Sequence, residues 1–504
     1  MNKIDRSTQI KVGAILSYAS ILVNILAGLL YTPWMINKIG QSQYGLFTLA
    51  NTLISLFMID FGLSSATAKY VSQYHAKGDE ESVNKVLGAI YKLYLAVDMV
   101  IFVALIVVYF FIDYIYIKLT PIELEQFKIV YCIAGLYSIT SFPFITLNGI
   151  LTSYEKFIQQ KFAELFYRII QVSLTIVALL MGFKLYALVT VNALAGLISI
   201  FYKIYVVHKT TPIKVRFTKV PKGFYKEILG FSLWVTVASL AQRLVFNITP
   251  SILGAVASSA SIAIFGIITT IEGYSFTITN AINGMFMPKI SRIYSGNDSE
   301  QGITNLMIKV GKFQYIINGL IFAGFLVVGK EFIVLWMGKD FLYAYYGILL
   351  VIFPGLFYNS LQIAHTAMIV QGKVKIQAIV NVVMGIVNVI LSVILSSRYG
   401  VLGASVSIFV AYMLRAVLLN IIYKYQLNID IGVFIKKCYI GLAPMVIITC
   451  IVGVLIKNRL IIDGWMKLAI NAVLVVFIYF VTLFTCGLDK EEKNKFKDII
   501  KGIK

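Results

Sequence analysis

Runs of about twenty apolar residues, separated by short polar or charged breaks, recur along the whole chain. Each run is long enough to cross a hydrocarbon core of ~30 Å as an α-helix. Setting runs against breaks predicts about fourteen spans. They lie near residues 12–37, 44–70, 88–112, 124–150, 162–182, 185–207, 228–249, 257–287, 309–329, 341–370, 376–397, 401–423, 434–456 and 464–486. Leu, Ile, Val, Phe, Gly and Ala fill the runs, with Tyr and Trp near their ends, where amphipathic rings favour the membrane interface. Ten-residue segments of alternating polarity, the mark of an outer-membrane barrel, are absent. The first run, Val12 to Met35, follows Lys3, Arg6 and Lys11. It exceeds the apolar region of a signal peptide and no small-residue cleavage site follows, so a retained first span is expected. The predicted fold class is an all-α polytopic membrane protein.

Composition agrees. Of 504 residues 59% are hydrophobic and 13% charged, against roughly 25% charged in soluble domains. A soluble enzyme, a secreted disulfide scaffold and a disordered chain are all excluded. The net charge of +21 raises the question of an acidic partner such as nucleic acid, which the placement of the basic residues answers. With the N-terminus cytoplasmic, inner segments hold 32 Lys and Arg and outer segments 10, leaving Lys92 and Arg243 inside spans. This is the positive-inside asymmetry, with an even number of spans and both termini cytoplasmic. No nucleic-acid partner is expected; the excess charge is a topology signal that also attracts anionic lipid headgroups. Cys132, Cys438, Cys450 and Cys486 lie in or beside apolar runs without CxxC or CxxH spacing, so neither a metal nor a disulfide is expected. The richest inner segment joins spans six and seven: His208, Lys209, Lys214, Arg216, Lys219, Lys222 and Lys226, with Pro212 and Pro221.

The chain also repeats itself. Pro33 answers Pro250 at an offset of 217, Gly45 answers Gly266 at 221, and Lys69 answers Lys289. Pro143 answers Pro354 at 211, and Lys156 answers Lys373 at 217. Two six-helix units are therefore expected, 1–207 and 227–425, joined by a basic linker over 208–226. A further helix pair over 426–486 and a cytoplasmic tail over 487–504 complete the chain. Six spans per unit is an even number, so the repeats enter the membrane in the same orientation, as two lobes around a cleft. Pro143 and Pro354 remove a backbone donor and should bend their helices.

Several segments resemble a known group. They are Gly13 to Tyr18, the break from Pro33 through Lys38, Gly40, Gln43 and Gly45, and Ile59-Asp60-Phe61-Gly62 followed by Ala66 to Tyr70. In the second half, Asn381, Asn388 to Leu391 and Tyr399 to Ser405 agree. Together they resemble the bacterial oligosaccharide flippases (Wzx-like) of the multidrug/oligosaccharidyl-lipid/polysaccharide exporter superfamily, over essentially the whole chain. The resemblance implies transfer of an undecaprenyl-pyrophosphate-linked oligosaccharide across the bacterial cytoplasmic membrane. It also implies a central cavity and, in several relatives, coupling to a proton or sodium gradient. Polysaccharide polymerase and glycosyltransferases of the same pathway would be its partners.

Ionisable residues inside a bilayer are costly and mark function by default. The candidates are Asp60, Lys92, Asp98, Arg243, Glu272 and His365. Arg243 cannot neutralise itself and presents a planar fork suited to phosphate oxygens. It is the first candidate for a pyrophosphate, with Lys92 as helper and Gln242 and Asn247 adding hydrogen-bonding capacity; a structural ion pair, with Glu272 or another acid, is its alternative. Glu272 is a candidate proton or sodium carrier, with Asp98 and His365 behind it, and Asp60 a packing or gating residue. Paired-carboxylate and DxD-like motifs are absent from the outer connections and no GxxxxGK[ST] is present, so an enzyme and an ATP-driven exporter are not expected. A multidrug antiporter of cations and a flippase of the peptidoglycan precursor are the rival readings. An anionic cargo calls for cationic side chains in the cavity, a cationic one for carboxylates alone.

Overall fold

Helices account for nearly all of the structure, and among the described residues there is no strand. The computed structural model describes residues 6–217, 223–280, 286–294, 299–457, 464–488 and 492–493. Lys3, Lys219, Pro221, Lys222, the end of the expected eighth span and most of the expected tail lie outside them. Two compact units form: Met1–Gly266 with Ser396–Gly400, and Ile267–Leu395 with Val401–Lys504.

The first unit contains α1 (Arg6–Ile39), α2 (Gln41–Phe57), α3 (Leu63–Ala76), α4 (Glu80–Ile115), α5 (Pro121–Ser141), α6 (Thr146–Ser153), α7 (Phe157–Leu180), α8 (Leu185–Thr210), α9 (Phe224–Phe246), α10 (Thr249–Val256) and the start of α11 (Ser259–Asn280). The second contains the rest of α11, α12 (Met287–Tyr294), α13 (Ser299–Met337), α14 (Leu342–Ile352), α15 (Gly355–Tyr358), α16 (Gln362–Val370), most of α17 (Val374–Leu427), α18 (Ile431–Phe434), α19 (Gly441–Lys457) and α20 (Gly464–Thr482). Among the described residues eleven helical stretches are long and apolar enough to cross a membrane. One of them, α17, holds the expected eleventh and twelfth spans, divided at Gly400 where φ 54 and ψ −131 leave the helical region.

Backbone chemistry places the breaks. The expected second span divides at Asp60-Phe61-Gly62, where Phe61 (φ 51) and Gly62 (φ 68) are both left-handed. Two such residues in succession cannot continue a right-handed helix. The Asp60 carboxylate then accepts from the Ser64 amide at 3.1 Å, satisfying an orphan donor in the first turn of α3. At Pro143 a 3-10 turn over Phe142–Ile145 separates α5 from α6. At Pro354 the chain interrupts α14, and a second 3-10 turn, Asn359–Leu361, follows. Both prolines interrupt their helices, as expected from the missing backbone donor.

Side-chain pattern makes these helices membrane elements. In α4 Leu87, Ile90, Tyr94 and Ile112 are fully buried, while Val100 and Phe110 on the opposite face are each 68% exposed. A helix apolar on all sides suits a bilayer better than water. Its polar start is capped by Asp79, which accepts from the Ser82 amide at 3.0 Å. Hydrogen bonds from Ser82 hold the Asp79 carboxyl below its ordinary range. That support is complete above the unfolded carboxylate pKa and is lost as pH falls through the lowered one. In the second unit α20 docks on α13, with the Tyr479 hydroxyl donating to the Ile316 carbonyl at 2.7 Å.

The basic linker lies against α4. The Lys214 amide donates to Asn84 Oδ1 at 2.7 Å, the Arg216 amide to the Asn84 carbonyl at 3.2 Å, and Lys92 Nζ to the Phe217 carbonyl at 3.4 Å. Gly88 makes room, because a Cβ there would run into the Arg216 carbonyl. Gly88→Leu should therefore lift the 211–217 segment off α4. Tryptic cleavage after Lys214 and Arg216 in folded protein should then become several-fold faster; an unchanged rate would refute the docking.

Candidate functional site

Two polar clusters stand among the apolar helices, one in each unit. In the first unit α9 carries Arg243 to the C-terminal end of α2. Its guanidinium donates through Nη1 to the Ser55 carbonyl and through Nη2 to the Met58 carbonyl, the latter at 3.2 Å. Asn247, one turn on, donates to the Ser55 hydroxyl at 2.5 Å. Carbonyls at a helix end lack intrahelical donors, and a cation there also meets the negative end of the helix dipole. Arg243 thus satisfies the end that the Asp60-Phe61-Gly62 break leaves open. Among the described residues it makes no ion pair.

Beside it is a cavity of about 230 Å³ lined by Asn51, Ser55, Tyr137, Asn192 and Arg243. A second, of about 220 Å³, shares Met58 and Tyr137 with the first and adds Asn148, Glu164, Tyr167, Ser199 and Lys203. Hydrogen bonds run along their walls. Tyr167 and Gln171 donate to Asn192 Oδ1 at 2.5 and 3.1 Å, and Asn192 donates to Asn51 Oδ1 at 3.4 Å. Arg168 donates to Gln171 Oε1 at 2.8 Å, and Lys203 to Asn148 Oδ1 at 2.9 Å. Beside the charges of Arg243, Glu164 and Lys203, the amides, hydroxyls and tyrosine rings offer the hydrogen bonds and stacking that suit a sugar ring.

In the second unit the cluster surrounds Arg415, near the middle of the α17 stretch that follows Gly400. Only 8% of it is exposed. Its guanidinium carbon lies 5.4 Å from the ring centre of Tyr358 and 5.7 Å from that of Tyr412. The two rings, 4.8 Å apart, are buried. Glu272 of α11 is an electrostatic neighbour of both tyrosines, and His365 of Arg415. Gln377 donates to the His365 carbonyl at 3.1 Å. Nearby, a buried chain links Thr279, Asn318 and Asn359, with Asn318 Oδ1 accepting at 3.2 and 3.1 Å.

The sequence candidates separate accordingly. Glu272 and His365 share the second cluster; Arg243 lines the first cavity, and Asn247 bonds to Ser55 of its wall. Asp60 accepts from the Tyr94 hydroxyl at 2.5 Å as well as capping α3. Asp98, one turn beyond Tyr94, is 9% exposed and its Oδ1 has no hydrogen-bond partner. Gln242 is exposed, and Lys92 holds the linker. One expectation is corrected. Basic residues inside spans are not confined to Lys92 and Arg243, because Arg168, Lys203 and Arg415 also lie within spanning helices. Assigning these three to cytoplasmic segments swept them out of view. A lone basic residue deep in an apolar run was the signal that identified Arg243, and it applies equally to Arg415.

Comparison with known proteins was made on this basis. A family model described as polysaccharide biosynthesis protein matches residues 10–294. An uncharacterized membrane protein of Bacillus subtilis (strain 168), EpsK, is 23% identical over 503 residues, covering 94% of each chain. A Shigella flexneri protein described as a candidate O-antigen transporter is 24% identical over 255 residues, 49% of this chain and 59% of its own. Among solved structures, the lipid II flippase MurJ in an inward closed conformation superposes with a TM-score of 0.73 at 14% identity, over 93% of this chain and 97% of its own. An inward-facing multidrug resistance MATE transporter superposes with a TM-score of 0.63 at 13% identity, over 84% and 99%. At these identities the structural likeness establishes the fold.

Proposed function

The chain belongs to the polysaccharide biosynthesis protein family, and on that premise we propose that it is a flippase for a lipid-linked oligosaccharide. It is a multi-pass membrane transporter and not an enzyme. Its cargo is an undecaprenyl-pyrophosphate-linked oligosaccharide, carried across the bacterial cytoplasmic membrane for surface polysaccharide synthesis. The termini are cytoplasmic, and the lobes 1–207 and 227–425 alternate access by a rocker-switch movement. One observation supports this reading above the others: amide, hydroxyl and cationic side chains line cavities among helices whose outer faces are apolar. A glycan needs such a wet path, while its lipid tail remains in the bilayer.

Arg243 and Lys203 among neutral amides, beside the carboxylate of Glu164, favour an anionic saccharide over a cationic drug, for which carboxylates alone would suffice. Deleting the gene tests the reading. Surface polysaccharide should be lost, lipid-linked oligosaccharide should accumulate in the inner leaflet, and the intact chain should reverse both. Undiminished polysaccharide together with increased sensitivity to cationic drugs would assign the chain to the antiporters instead.

A further inference from the structure

Among the described residues three buried or half-buried guanidiniums lie in the longer helices, and they differ in what their donors do. Arg243 gives its donors to the carbonyls of Ser55 and Met58. Arg168 gives one to Gln171. Arg415 makes no hydrogen bond and no ion pair among the described residues, and its Nε is buried without a partner. Arginine stays protonated even when buried, so this is a permanent cation with five unused N–H donors. Such a group inside a membrane protein is costly unless a partner completes it.

The surroundings define that partner. Tyr358 and Tyr412 lie 5.4 and 5.7 Å from the guanidinium carbon, and contact with ring faces compensates part of the desolvation. Ring faces accept no in-plane hydrogen bonds, so they leave the donating edge of the fork unpaired. Its geometry matches two oxygens of one oxyanion. The depth is appropriate too. Counted from the break at Gly400, Arg415 lies roughly 22 Å along its helix, well inside a membrane-spanning length. Glu272 is the acid in this neighbourhood, and it makes no ion pair with Arg415. Its carboxyl group stands near both tyrosines without closing on the guanidinium.

We propose that Arg415 is an anion-binding residue of the second unit, its fork taking two oxygens of a phosphate-class headgroup while Tyr358 and Tyr412 hold the guanidinium. The phosphate chemistry follows from the fork; only its identification with the cargo's pyrophosphate rests on the function proposed above. Binding of inorganic pyrophosphate and of farnesyl pyrophosphate to the full chain in phosphatidylcholine nanodiscs tests it, read as a saturable rise in melting temperature. Arg415→Gln should weaken binding by about tenfold or more, as expected on losing a bidentate charge-assisted contact. Arg415→Lys, which keeps the charge but not the fork, should fall between. Glu272→Gln should tighten binding, whereas a merely structural Glu272–Arg415 attraction predicts a less stable protein with unchanged binding. Equal binding of the two probes assigns the site to phosphate itself, and binding of farnesyl pyrophosphate alone assigns it to a lipid headgroup. No saturable binding by the wild type, or undiminished binding by Arg415→Gln, overturns the proposal. If Arg415→Gln does not fold, the Lys and Glu272→Gln variants decide it. If pyrophosphate binding depends on Arg415 while gene deletion leaves surface polysaccharide intact, the cargo assignment fails and the anion site stands.

Discussion

Arg243→Ala is expected to lower the stability of the protein before it alters transport. The guanidinium donates to two carbonyls at the end of α2, and neither has another route to a donor once the helix stops at Met58. Hydrogen bonds from a charged donor contribute about 1.5–3 kcal/mol each, so losing both should cost on the order of 3–6 kcal/mol. A membrane interior offers little water to replace them. The expected observation is a large drop in melting temperature in detergent, with reduced protein in the membrane. Lys at this position should recover part of the loss, since an ammonium reaches one carbonyl at a time. A cargo-binding role gives the opposite pattern: Arg243→Ala with wild-type melting and abundance but no polysaccharide export. Asn247→Ala, which removes the donor to the Ser55 hydroxyl, should destabilise in the same direction by a smaller amount, about 1 kcal/mol. Sequence reasoning ranked Arg243 first because a buried arginine suits phosphate. In the structure two of its donors go to the carbonyls of Ser55 and Met58, while the residue also lines the first cavity.

Those two carbonyl partners mark what the sequence contains and what it does not. Span positions follow from one variable, the local density of apolar side chains, so nearly every expected span has a helix in the fold. Pro143 and Pro354 were legible as interruptions because a missing N–H acts at the residue itself. The break at Asp60-Phe61-Gly62 was harder to see. Its left-handed Phe61 and Gly62 lie within an otherwise continuous apolar run, and a glycine in such a run marks equally well a close helix contact. Residue roles were the least legible part. Arg243, Arg168 and Arg415 carry the same side chain in similar apolar settings. What separates them is whether a carbonyl, an amide or two ring faces stand opposite, and the carbonyls of Ser55 and Met58 and the ring of Tyr358 come from segments tens to hundreds of residues away. Charge counting reads topology by averaging over loops, and the same averaging hid Arg415.

Gly45→Leu should produce the second large effect, by separating helices that the first unit brings together at backbone distance. Gly45 sits in the first turns of α2, and a Cβ there would collide with the Ser259 carbonyl at the start of α11. The obstacle is backbone, so no rotamer change can relieve it, and one of the two helix ends must move. Movement would also strain the junction around Glu123. Glu123 closes the capping box of α5 with Thr120, and its Oε1 accepts from both Ser42 and Ser259 at 2.5 Å. One carboxylate thus joins α2, α5 and α11, and its geometry depends on the approach that Gly45 permits. Overpacking a tight contact costs about 1–3 kcal/mol, and disturbing a charged hydrogen bond adds about 1.5–3 kcal/mol, so a total near 4 kcal/mol is expected. Gly45→Ala should cost less than Leu but remain clearly destabilising, because the first added carbon already meets the carbonyl. Glu123→Gln, which keeps the shape and removes the charge, isolates the polar part of the junction. Thermal unfolding of the three variants in one detergent gives the test. Stability should fall in the order Glu123→Gln, Gly45→Ala, Gly45→Leu. A Gly45→Ala protein that melts with the wild type would show that the backbones do not approach this closely. If Gly45→Ala and Glu123→Gln together lose less than the sum of their separate losses, the glycine and the carboxylate act on one junction, since independent sites add.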